Sequence, residues 1–200
     1  MNVNSKIIWL AAELGTIVDV FDQLLAHPEV SEHLRLASTV GVMALHGGIE
    51  KETDAIAAEV ASRTGASLYL VHQSERLRWH VPSIHYDPGA SEQLASFLDH
   101  VDVAVSLHGF GRRHLRRAVL VGGASDSLSD DMSRRLRSAT SLNVLTGDEI
   151  PPGLQGRHPA NPVNLPSGGG VQLELSHSCR HVPHVEPLID AISGFVRDRH

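Results

Sequence analysis

The chain has 200 residues, a formal net charge of -6, and one cysteine. That length suits one domain with a real core, and 42% hydrophobic against 20% charged residues excludes wholesale disorder. The acidic balance argues against nucleic acid as a partner, and lone Cys179 excludes an intrachain disulfide framework or a cysteine-based zinc knuckle.

Taken in chain order, residues 1–36 are expected to be a helical segment. Ile7, Ile8, Leu10, Ala11 and Leu14 recur at helix spacing, as do Val18, Phe21, Leu24 and Leu25, until His27-Pro28 breaks the pattern. No small-residue cleavage site follows Ile7–Leu14, and no run approaches the roughly 18 apolar residues of a membrane span. The expected location is therefore the cytoplasm, with release by lysis left open and no membrane partner.

Residues 39–45 read as a buried strand and Glu50 to Arg63 as a helix closed by Gly65. Ser67 to His72 reads as the next strand. Residues 79–86 (WHVPSIHY) look extended, with Pro82 arguing for an edge or irregular strand. A short helix is expected at Ser91–His100, strands at 101–107 and 118–121, a helix at Ser127–Ser138, and a short strand at 142–145. Residues 147–170 are rich in Pro, Gly and Asn without periodicity, and loops of that length tend to be functional. A last strand spans 170–175 and a closing helix 184–199. Alternating strands and helices predict a single α/β domain, 1–200, with a mixed, mostly parallel sheet flanked by helices.

The chemistry gathers at strand ends. His46 follows the run VGVMAL and opens the motif HGGIE, and His108 ends the run VDVAVSL. In open α/β sheets, ligands collect outside the carboxyl ends of strands. Two histidines and a carboxylate, Glu50, make a His/Glu/His set of the hydrolytic zinc type, which leaves a position for water. Glu50 also suits a plain helix start, where acids are favoured by capping and the macrodipole. Glu174 shares a strand face with Gln172, opposite Val171, Leu173 and Leu175. That face is either solvated or turned to a partner such as a metal-bound water, for which Glu174 is the candidate general base.

In order, HGGIE at 46–50, SLHG at 106–109, NPVN at 161–164 and GGGVQLELS at 168–176 resemble the poly-γ-glutamate hydrolase family of phage and bacteria, related in fold to zinc carboxypeptidases. The resemblance runs from about residue 38 to the C-terminus and includes WHVPSIHYD at 79–87 and VGG at 121–123. It implies His46, Glu50 and His108 as Zn2+ ligands and Glu174 as the base that activates water against a γ-glutamyl amide. It further implies Asn161, Asn164 and Arg180 as binders of substrate carboxylates. One departure stands out: the family has an extra Gly between the ligand His and the Ile-Glu pair, and this chain lacks it.

Several cations suit an anionic polymer. Arg112, Arg113, Arg116 and Arg117 cluster beyond His108, and arginine forks match carboxylates. A solvated loop balancing the acidic total explains them equally. Arg157 and His158 are weaker candidates of the same kind; His80 and His85 could hold a carboxylate or stabilise an oxyanion. The expected function is zinc-dependent hydrolysis of poly-γ-glutamate. The alternatives are a zinc carboxypeptidase or amidase acting on another acyl-amino acid, and a non-catalytic polyanion-binding module.

Overall fold

The apolar runs beginning at Val40, Ser67, Val103, Ala118 and Gly170 become neighbouring strands. The computed structural model describes residues 20–200. In chain order these form α1 (Val20–Leu25), β1 (Val30–Arg35), β2 (Val40–Gly47), α2 (Thr53–Thr64), β3 (Ser67–Gln73) and α3 (Glu92–His100). There follow β4 (Val103–Phe110), β5 (Ala118–Gly122), α4 (Asp126–Ala139), β6 (Asn143–Thr146), β7 (Gly170–Ser176) and α5 (Val185–Arg197).

One seven-stranded sheet has the order β1-β3-β2-β4-β7-β5-β6. The pairs β3/β2, β2/β4, β4/β7 and β5/β6 are parallel, while β1/β3 and β7/β5 are antiparallel. The mixed, mostly parallel sheet expected from the alternation is present. From β2 the chain first moves outward to β3 and later returns to place β4 on the other flank of β2. That reversal opens a crevice at the carboxyl ends of β2 and β4, the usual place for a ligand in such sheets.

Alternation along the strands builds two apolar layers. Val42, Ala44, Val105, Leu107, Val171 and Leu173 face α2, α4 and α5, where Ile56, Val60, Met132, Leu136, Ile192 and Phe195 complete the core. Met43, Leu45, Tyr69 and Val71 face the opposite layer, with Phe21, Leu24, Tyr86, Leu94 and Phe97. The Ser91 hydroxyl caps α3 by accepting from the Leu94 N–H at 2.9 Å.

Three expectations need correction. Residues 30–35 form the edge strand β1, not helix. Their half-buried/exposed alternation in VSEHLR is the period of a strand, and antiparallel pairing with β3 satisfies the backbone. The helical pattern at 7–14 lies outside the described residues. Residues 79–86 form no strand: a 3-10 turn at Ser83–His85 follows Pro82, and Val81 and Tyr86 are buried against the sheet. Finally, α2 begins at Thr53, three residues after Glu50.

Candidate metal centre and cleft

His46 reaches the cleft through an irregularity in β2. Ala44 pairs with Leu70, yet Gly47 pairs with His72, so β2 carries one extra residue between them. A one-residue bulge shifts every later side chain to the other face. His46, which by strict alternation belongs with Val42 and Ala44, instead turns to the Tyr86 layer, its ring 5.7 Å from that of Tyr86. Beyond the bulge, Gly48 adopts φ +80, and a Cβ there would lie 1.9 Å from the Gln73 carbonyl oxygen. The turn closes with the Glu50 N–H donating to the His46 carbonyl at 2.9 Å and the Thr53 hydroxyl to the Glu50 carbonyl at 2.8 Å. The HGGIE turn, one Gly shorter than the family pattern, thus still folds the Glu50 carboxylate back onto His46.

Glu50 Oε1 is 3.0 Å from His46 Nδ1, and Glu50 Oε2 is 3.5 Å from His108 Nδ1. The two Nδ1 atoms are 3.1 Å apart. One donor atom from each residue lies within 4.8 Å of the others, a geometry open to a metal ion. The Gly109 N–H donates to Glu50 Oε2 at 2.8 Å and fixes the carboxylate from the β4 side.

The outer ring nitrogens test whether these residues fit a cation. His46 Nε2 lies 2.8 Å from the Val81 carbonyl oxygen, which can only accept, so Nε2 carries the hydrogen and Nδ1 of the neutral ring offers a lone pair. His108 Nε2 has the Ser106 hydroxyl at 2.9 Å as its own tether. Two Nδ1 atoms at van der Waals range beside a carboxylate call for one positive centre between them. Nitrogen and oxygen donors with such outer tethers fit a divalent ion of the zinc type.

The electrostatics agree. Burial pushes His46 below the ordinary imidazole value, outweighing Glu50. Burial would also lower His108, but the Glu50 carboxylate reverses the sign and holds it above. Burial would raise Glu50, yet His46, His108 and His80 together keep it well below the usual carboxylate range. Glu50 is therefore a buried anion, and positive charge is drawn to the position it shares with the rings.

Glu174 sits on β7 in register with His108 on β4. It is buried, as is Gln172, so the solvated reading of this strand face does not hold. Burial first, then repulsion from Glu50, push the Glu174 carboxyl up to about 7, against the opposing pull of His108 and the Gln172 hydrogen bond. His46, Glu50, His108 and Glu174 all line one cleft of about 670 Å³. The segment Gly153–His158 lines the same cleft, so the long loop does shape the site.

The other expected residues divide. Asn161 lines the cleft, but its Nδ2 donates to Gly156 and Gln172, which leaves no N–H for a carboxylate. Asn164 is a staple of the long loop, accepting from the Ala124 N–H and donating to the Gly156 and His158 carbonyls. Arg180 is buried behind Gly109, bonded to the Lys51 carbonyl, and does not line the cleft. His85 is exposed and off the cleft wall, whereas His80, 3.5 Å from Glu50, is on it. Arg112 and Arg113 line a separate depression of about 380 Å³ with Phe110, Leu115 and His177. Arg157 and His158 are the basic loop residues that line the cleft. Ser106 and Gln172 escaped the sequence reading as site residues. The two-residue spacings Ser106/His108 and Gln172/Glu174, each pair on one strand face, were the available signal.

The poly-gamma-glutamate hydrolase family model matches residues 21–183. No curated protein sequence matches. Among solved structures, a bacteriophage poly-gamma-glutamate hydrolase is similar with TM-score 0.74 and 23% identity, over 96% of this chain and 95% of that one. The zinc-free apo form of YNDL has TM-score 0.72 and 20% identity over 89% and 95%. The N-acetylmuramoyl-L-alanine amidase AmiC2 of Nostoc punctiforme has TM-score 0.51 and 11% identity, over 82% of this chain and 98% of that one. At these identities the likeness is one of fold. The family match covers most of the chain and both strand ends that carry the His/Glu/His set, so the chain belongs to the poly-γ-glutamate hydrolase family.

Proposed function

We propose that this protein hydrolyses the γ-amide bonds of poly-γ-glutamate with a divalent ion, zinc, held by His46 Nδ1, His108 Nδ1 and Glu50. The observation that carries the reading is the convergence of these donor atoms on the floor of the cleft, with both outer ring nitrogens tethered to oxygens. When bound, such an ion supplies Lewis acidity, polarising a carbonyl and acidifying water. The rest falls to the chain's own side chains. Glu174, raised toward neutrality by burial, takes a proton from the attacking water and returns it to the leaving nitrogen. The water oxygen bonds to the carbonyl carbon as the C–N bond breaks, giving a γ-carboxylate and a free amine. The Arg157 guanidinium, paired with Asp126, and the ring nitrogens of His158 and His80 on the cleft wall offer hydrogen bonds to the free carboxylate that each γ-linked residue carries.

The test measures metal content and hydrolysis of poly-γ-glutamate together, for wild type and Glu174→Gln. The expected result is about one zinc per chain in both proteins, with turnover lost only in the variant. Zinc without turnover of the polymer by wild type would reject the substrate. No metal in either protein after zinc is supplied would reject the mechanism.

A further inference from the structure

Asn161 and Gln172 lie beside Glu174 on the cleft wall, and all three are less than a tenth exposed. Their hydrogen bonds have one self-consistent direction. The Gly156 carbonyl can only accept, and it lies 3.3 Å from Asn161 Nδ2, so that end of the amide is the donor end. The same nitrogen donates to Gln172 Oε1 at 2.7 Å. Gln172 must therefore turn its Nε2 toward Glu174, where it donates to Oε1 at 3.0 Å. One backbone carbonyl sets the polarity of two side-chain amides in turn. That carbonyl is itself held, since Asn164 Nδ2 donates to it at 2.7 Å. Gly156 also presses on the relay: a Cβ there would lie 2.7 Å from Gln172 Oε1.

We propose that Asn161 and Gln172 are positioning residues for Glu174. They hold its Oε1 in a fixed hydrogen bond and leave Oε2 as the oxygen that takes the proton from water and hands it to the leaving nitrogen. An oxygen already accepting a buried N–H is the poorer place for a second hydrogen, and a carboxylate with one oxygen tethered cannot swing. Asn161 thus acts on the reaction through Gln172, in place of the carboxylate-binding role that the resemblance implied. The proposal rests on the reading of Glu174 as the base.

The experiment measures kcat and KM on poly-γ-glutamate, zinc content and thermal melting for Gln172→Met, Asn161→Asp, the double variant and Glu174→Gln. An aspartate at 161 accepts where the asparagine donated, so it turns the Gln172 amide around and faces its oxygen toward Glu174. Gln172→Met is expected to lower kcat roughly 10- to 100-fold, the range of a hydrogen bond to a charged group, with KM and zinc content unchanged. Asn161→Asp is expected to match it, and the double variant to be no worse than Gln172→Met alone, because both act through one bond. Should Gln172→Met melt early, Asn161→Leu, which removes the donor to Gln172 at similar volume without adding a buried charge, is read in its place with the same expected loss of kcat. A kcat within twofold of wild type in the folded single variants, or losses that multiply in the double, overturns the relay. Full activity of Glu174→Gln would instead overturn the assignment of the base, a separate failure.

Discussion

Ser106 puts its hydroxyl 2.9 Å from His108 Nε2, and both residues are buried. A tether of this kind fixes which ring nitrogen faces the metal and how the ring is turned. Ser106→Ala is therefore expected to weaken zinc affinity about 10-fold or more and to cost the metal-free protein about 1–3 kcal/mol, because it leaves the buried His108 Nε2 without a partner. Competition with a chelator measures the first, and an unaltered affinity would show that packing alone orients His108. At this scale the sequence was a good guide to residue type. His46, His108, Glu50 and Glu174 were legible because each chemical group stood at a strand end or on the wrong face of an apolar strand. Asn161, Asn164 and Arg180 were not, because amide and guanidinium groups serve equally as ligands and as staples. Only their partners separate the two uses: both N–H groups of Asn161 and Asn164 are already bonded to neighbouring oxygens of the chain, and Arg180 is packed against Gly109.

The turn after β2 shows what an element can hide. Gly48 at φ +80 sits so close to the Gln73 carbonyl that any side chain forces the turn open. Gly48→Ala is expected to cost about 1–3 kcal/mol in denaturant unfolding. It should also lower zinc stoichiometry, because Glu50 returns to His46 only through this turn. Full zinc binding by a folded Gly48→Ala protein would separate the turn from the site. The bulge that turns His46 into the cleft was not legible, since an extra residue in a strand leaves no mark on hydropathy. It is visible only in the register against β3. In the same way, β1 was mistaken for helix because VSEHLR alternates weakly and its pairing with β3 is non-local.

Across the whole molecule, α4 and α5 close one face of the sheet, and a charged cluster ties them together. Asp131 on α4 meets Arg135 at 3.1 Å and Arg199, just past α5, at 2.8 Å. Burial would raise the Asp131 carboxyl, but the two guanidinium groups outweigh it and hold it below its ordinary value. A group depressed in the folded state stabilises the fold above its unfolded value, about 3.9, and loses that contribution as pH falls through the lower folded one. Asp131→Asn is accordingly expected to unfold at lower urea than wild type at pH 7, with the gap closing in acid below that range. A gap that persists unchanged into strong acid would assign the effect to packing instead of charge.

Short continuous apolar runs alternating with amphipathic stretches indicated, without any structure, that this chain is an α/β protein with a mostly parallel sheet. Sheet and helix periods follow from backbone geometry, and burial repeats them in the residue order. The donor types at two strand ends also stood in the residues themselves. Tertiary structure alone decided which of the many polar side chains converge. His46, Glu50, His108 and Glu174 come from three strands and a turn far apart in the chain, joined only by the order β2-β4-β7. The same packing set the Arg112 and Arg113 patch in a depression of its own and turned Gln172 toward Glu174. Strand order and hydrogen-bond direction depend on contacts between distant segments, which no local pattern records.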